Sequence, residues 1–131
     1  MNRDKLMNIT MFLLRVVSGL LFMQHGGTKL FGWFGGIPGG ELPTLMLVAG
    51  ILEFFGGLAI LFGFLTRPIA FILSGEMAVA YFQAHYSIEA VWPIENGGEP
   101  AVLFSFIFLF FAAHGAGMWS IDAWLKSRRR A

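Results

Sequence analysis

One apolar stretch, RVVSGLLFMQHGGTKLFG from Arg15 to Gly32, carries an arginine, a histidine and a lysine. At 3.6 residues per turn Arg15, Ser18, Gly19, Phe22, His25, Gly26 and Lys29 share one stripe of a helix, and the other stripe is Val, Leu and Met. Two further apolar runs each hold a carboxylate near the middle, Glu53 and Glu76. Charge at the centre of a bilayer costs about 3 kcal/mol or more per group, so these residues are expected to face one another. A rise of 1.5 Å per residue puts Arg15 and Glu76 roughly 12 Å and Glu53 roughly 18 Å from the ends of their runs. One arginine cannot neutralise two carboxylates. Either one glutamate is protonated at neutral pH, or Lys29 or His25 reaches inward to the second. The chemistry on offer is a proton-handling centre of Arg15, Glu53 and Glu76, with a structural clamp between helices as the plainer alternative.

Four other polar groups lie towards one end of the runs and are candidate ligand-binding residues: His25, Lys29, Gln83 and Glu99. His25 and Lys29 are placed to hold polar ligand oxygens, and Gln83 lies on the helical face of Glu76. His25 and His85 fall at similar depth, the arrangement a b-type haem needs, but His85 stands at a helix end and the signal is weak. The aromatic residues of the last run, Phe104 to Phe111, suit a quinone or another flat hydrophobic ring. His114 among those phenylalanines reads as a satisfied core histidine. No metal-ligand constellation is evident. With no cysteine, thiolate and disulfide chemistry and iron–sulfur ligation by this chain are excluded.

The elements that must position these groups are membrane spans. A chain of 131 residues with 56% hydrophobic and only 13% charged residues is too apolar for an ordinary soluble domain. The expected fold is all-α, a polytopic four-helix membrane bundle forming a single domain, with spans at about 7–25, 42–65, 68–85 and 101–119. Arg15 inside the first run argues against a cleaved signal peptide. The glycine- and proline-rich stretch from Gly26 to Pro43 predicts an interfacial or re-entrant first loop. Gly50, Gly56 and Gly57 allow close helix approach. Residues 86–100 form an acidic outer loop, and a polar basic tail ends the chain. Four spans put both termini on one side together with Arg3, Lys5, Arg67, Lys126, Arg128, Arg129 and Arg130, against Lys29 on the other, so both termini are expected in the cytoplasm. Nucleic acid is excluded as a partner because the basic residues have this topological explanation.

The spaced residues are similar to those of the DoxX family of small four-helix bacterial membrane proteins. The resemblance rests on R-x3-G-x2-F-x2-H-G-x2-K-L-F-G from Arg15 to Gly32 and E-x2-G-G from Glu53 to Gly57. G-x2-T-R-x2-A from Gly63 to Ala70, E-M-x-V-A from Glu76 to Ala80 and N-G-G-E from Asn96 to Glu99 complete it. It implies an inner-membrane protein associated with oxidoreductase complexes, some of them quinone-linked. The resulting expectation is a subunit that binds a quinone or similar hydrophobic redox molecule, with the bilayer, oxidoreductase subunits and further copies of itself as partners. The rival expectations are a small proton-coupled transporter and an assembly anchor for a membrane enzyme.

Overall fold

A computed structural model describes residues 1–37 and 42–130. Helix α1 runs Arg3–Phe31 and is followed by a 3-10 turn, Trp33–Gly35. Helix α2 covers Thr44–Phe62, and α3 covers Thr66–Ala80 and continues as a single π turn, Tyr81–His85. A short α4, Pro93–Asn96, leads into α5, Glu99–His114, and the chain closes with α6, Ile121–Arg130. No strand occurs among the described residues. The expected all-α membrane architecture is therefore present. Pro38–Glu41, four residues of the expected re-entrant loop, lie outside the described residues.

The helices turn apolar surface outward. Leu13, Leu14, Val17 and Leu20 of α1, Val48, Ile51 and Phe55 of α2, Phe71, Ile72 and Val79 of α3, and Leu103 and Phe106 of α5 are all exposed. A soluble bundle buries such a set, so the solvent of this surface is hydrocarbon. The interior is small: Phe22, Ile60, Leu73, Phe108 and Phe111 form its centre. Helices α1 and α2 are long and apolar enough to cross a bilayer, and α5 is a shorter apolar helix.

Glycines set the approach of α1 to α2. A Cβ on Gly19 would lie 2.5 Å from Leu61 N, on Gly57 2.5 Å from Met23 N, and on Gly26 2.2 Å from the backbone of Phe54. Backbone meets backbone, which only glycine permits. At Gly50 the neighbours of such a Cβ are instead side chains, Lys29 Cβ at 3.0 Å and Leu30 Cδ2 at 3.1 Å, and in each of the pairs 19/61, 23/57, 26/54 and 30/50 the two residue numbers add to 80. The helices are antiparallel in a fixed register. Helices α3 and α5 are joined instead by side-chain hydrogen bonds: Ser74 Oγ donates to Ser105 O (2.7 Å) and Ser105 Oγ donates to Ser74 O (3.0 Å).

The observed helices depart from the expected spans in three places. The first continues past Gly26 and Gly27 to Phe31 and stops at Gly32, whose φ is 69°. Gly26 is spent on contact with α2 and Gly27 lies under the Trp33 ring, so neither breaks the helix. The fourth span ends at His114 rather than 119, because Gly115 and Gly117 take φ of 89° and 74°. The basic tail is not an extended polar segment but α6. Ser120 Oγ accepts from Ala123 N and Asp122 supplies a carboxylate to its first turn.

Candidate functional site

The α1–α2 register decides which charged groups meet. It places Glu53 level with Gly27 and Arg15 level with Leu65, just past the end of α2 and about 18 Å away along the bundle. Lys29, not Arg15, therefore reaches the carboxylate: Lys29 Nζ donates to Glu53 Oε2 at 2.5 Å, with side chains 17% and 5% exposed. Glu76 of α3 lies against Glu53 and within the field of Lys29. Both Glu76 carboxyl oxygens are buried and have no hydrogen-bond partner among the described residues. The charged centre is thus Lys29–Glu53–Glu76, drawn from three helices.

Arg15 is held elsewhere. It is 1% exposed, and its guanidinium donates to Ala116 O (2.6 Å) and Trp119 O (2.9 Å), with a longer contact to Met118 O (3.4 Å). It also stands 5.3 Å from the centre of the Phe12 ring. The expectation that Arg15 joins the glutamates fails because the α1–α2 register sets Arg15 level with Leu65, past the end of α2, so a depth counted from Met7 places it too far into the bundle. Its partners are the carbonyls of the nonhelical segment between α5 and α6, which no helix satisfies.

His25 lies one turn before Lys29 on α1, exposed, with its ring edge-on to Phe104 at 6.2 Å. It lines an open recess of about 280 Å³ with Leu21, Gln24, Thr28 and Phe34. Thr28 Oγ1 donates back to His25 O (2.6 Å), which keeps the hydroxyl on the helix. Gln83 is exposed on the π turn and Glu99 is exposed in the first turn of α5. Neither joins His25 or the buried charges. His114 is exposed and stacked on Phe110 at 5.4 Å, a correction to its expected core position; α5 ends there and turns that face outward.

Two constellations were missed by sequence reasoning. Asp122 of α6 caps α3: its carboxylate accepts from Leu65 N (2.8 Å) and Thr66 N (2.9 Å), and its own N–H donates to Gly63 O (2.9 Å). The Ser120-Ile121-Asp122 sequence was a readable helix start, but nothing local shows that Asp122 serves a second helix. The other is built around Asn96, whose Nδ2 donates to Tyr81 Oη and Ala90 O, while its Oδ1 accepts from Gly98 N. His85 Nδ1 lies 3.2 Å from Asn96 O. A Cβ on Gly98 would meet the Tyr81 ring at 2.6 Å. The N-G-G-E run therefore ties the outer loop to the end of α3, and His85 belongs to that tie and not with His25.

Residues 10–86 match the DoxX family. A protein of Haemophilus influenzae is 38% identical over 92% of this chain and 94% of its own length. The inner membrane protein YqjF of Escherichia coli is 33% identical over 95% of this chain and 98% of its own. CatD of Bacillus subtilis, named as a candidate oxidoreductase, is 27% identical over 91% of this chain and 89% of its own. No solved structure matches. The family match spans more than half the chain and includes Arg15, His25, Lys29, Glu53 and Glu76, and the exposed faces of its helices are apolar: the chain is a membrane protein of the DoxX family.

Proposed function

We propose that the chain is a bacterial inner-membrane subunit that binds a quinone or similar hydrophobic redox molecule at the His25 recess and exchanges protons with it through Lys29, Glu53 and Glu76. The supporting observation is the Glu76 carboxyl: buried, against a second carboxyl already paired with Lys29, and with no hydrogen-bond donor of its own among the described residues. One cation and two carboxyls are electrically neutral only with one added proton, and neutrality is what a low-dielectric interior favours. That proton is the exchangeable one.

The recess fits a ring-sized head and not a whole molecule. Leu21 and Phe34 give it apolar walls, and Gln24 and His25 give it polar groups for ring oxygens. A bound quinone supplies two-electron, two-proton chemistry at those oxygens. The chain itself has no cysteine, so the electrons come from a partner subunit. His25 orients the head, Phe34 limits water access, and Lys29 holds Glu53 so that Glu76 faces it. The name of the Bacillus relative supports an oxidoreductase setting, and the positions of the basic residues support cytoplasmic termini.

Titration of the detergent-purified chain with ubiquinone-1, followed by tryptophan fluorescence, tests this reading. Saturable quenching is expected, weakened about tenfold in His25→Ala. Quenching that stays linear in ubiquinone-1 and is the same in His25→Ala would show partition into the micelle only and overturn it. The same unpartnered carboxyl also favours proton-coupled transport, for which Glu76→Gln should abolish proton flux in liposomes while leaving ubiquinone-1 binding intact.

A further inference from the structure

A groove of about 500 Å³ lies at the opposite end of the bundle from His25, lined by Phe12 and Val16 of α1, Leu61 and Phe62 of α2, and Ile121 and Trp124 of α6. Trp119, itself exposed and edge-on to Phe12 at 5.0 Å, forms one wall. The lining is almost wholly apolar, and Phe62 and Trp124 remain more than half exposed. A narrow apolar slot open to the side of a membrane bundle takes a hydrocarbon chain.

What identifies the head of that chain is α6. At 100° per residue Ile121, Trp124, Leu125 and Arg128 share one face, so Arg128 emerges among the apolar residues and not on the charged side. Its guanidinium sits 5.2 Å from the Trp124 ring, with the stem laid along the face and the charge at its rim. Arg129 flanks the same rim, whereas Lys126 and Arg130 project from the far side. Among the described residues of α6 the one carboxylate, Asp122, is occupied by the Leu65 and Thr66 amides. Uncommitted positive charge at the mouth of an apolar slot is complementary to one ligand class.

We infer that the groove between α1, α2 and α6 is a binding site for an anionic phospholipid of the leaflet on the side of the termini, with one acyl chain in the slot and the phosphate on Arg128 and Arg129. The site is independent of the quinone reading. It holds α6 parallel to the membrane surface, with its apolar face towards the bundle.

The test uses the full chain carrying Trp33→Phe and Trp92→Phe, so that only Trp119 and Trp124 report. It is reconstituted with phosphatidylglycerol or phosphatidylcholine brominated on the acyl chain. Brominated phosphatidylglycerol is expected to quench at a mole fraction at least fivefold lower than brominated phosphatidylcholine, on the scale of one basic group at an anionic surface. Arg128→Gln/Arg129→Gln should abolish the difference, and Lys126→Gln/Arg130→Gln, which removes the same charge from the other face, should keep it. Equal quenching by the two lipids overturns the site. Equal loss in both double variants overturns it as well, since diffuse surface charge would then suffice. Should the tryptophan background not fold, native mass spectrometry of the unsubstituted chain in an equimolar lipid mixture reads the same preference and the same two double variants.

Discussion

Replacing Arg15 by Met should release the end of the bundle that carries the termini and leave the charged centre in place. Methionine keeps the length and apolar bulk of the side chain but gives up two hydrogen bonds of good length, to Ala116 O and Trp119 O. A bond to a charged donor is worth about 1.5–3 kcal/mol, and the lower figure applies at a membrane edge, where water can partly replace it. The loss is therefore about 3 kcal/mol, concentrated in residues 115–130. That corresponds to roughly a 100-fold increase in amide exchange for any proton that depends on this segment. Four amides report on it directly. Leu65 and Thr66 donate to the Asp122 carboxylate, Asp122 donates to Gly63 O, and Ala123 donates to Ser120 Oγ. Hydrogen exchange read by mass spectrometry in detergent should show these four accelerated together, while amides of 50–61 keep their protection. Arg15→Lys should recover about half the loss, because one ammonium lacks the fork that spans two carbonyls. Unchanged exchange at 65, 66, 122 and 123, or equal acceleration throughout α2, would refute the assignment of Arg15 to this segment.

Two other predictions concern helix packing and the buried pair. Gly26→Ala should prevent stable α1–α2 contact, costing about 3 kcal/mol or more, because the new methyl meets backbone and not a movable side chain. Gly75→Ala, on an open face of α3, should be neutral or stabilising by about 0.5–1 kcal/mol, and unfolding in mixed micelles compares the two. Lys29→Met should destabilise the fold by about 3–5 kcal/mol by stranding Glu53 beside Glu76. Adding Glu53→Leu should restore most of that loss, and a double variant no more stable than Lys29→Met alone would mean that the pair is not what costs the single variant its stability.

The depth argument from sequence put the two carboxylates together and chose the wrong cation. Glu53 and Glu76 are neighbours, as two carboxylates in apolar runs required, and Lys29 turning inward was one of the open alternatives. What misled was counting depth from the edge of each hydrophobic run, since the start of α1 reaches past the end of α2 and the two runs do not begin at one level. A better ruler was present. Gly19 and Gly26 are seven apart, as are Gly50 and Gly57, and laying one pair antiparallel on the other, Gly19 by Gly57 and Gly26 by Gly50, comes within about one helical turn of the register that the structure shows. That ruler alone would have sent Arg15 to the end of α2. Its carbonyl partners were not legible, because a left-handed segment at Gly115 and Gly117 exposes backbone that hydropathy counts as membrane span. The Asp122 cap was hidden for a related reason: a capping residue is sought beside the helix it caps, and this one lies 56 residues away.

The bond between Arg15 and Ala116 joins residues 101 positions apart, and that separation has a meaning for biogenesis. A chain elongating at about 5–20 residues per second makes the arginine about 5–20 s before its acceptor carbonyls exist. Throughout that interval α1, α2 and their glycine contacts can already be in the bilayer, with the guanidinium still in search of oxygen. Its place at the edge of the bundle lets water and lipid phosphate hold it in the meantime. A segment made long after the first helix is therefore the one that closes it, and a nascent chain stopped before Ala116 would carry an open positive charge that quality-control proteases can recognise.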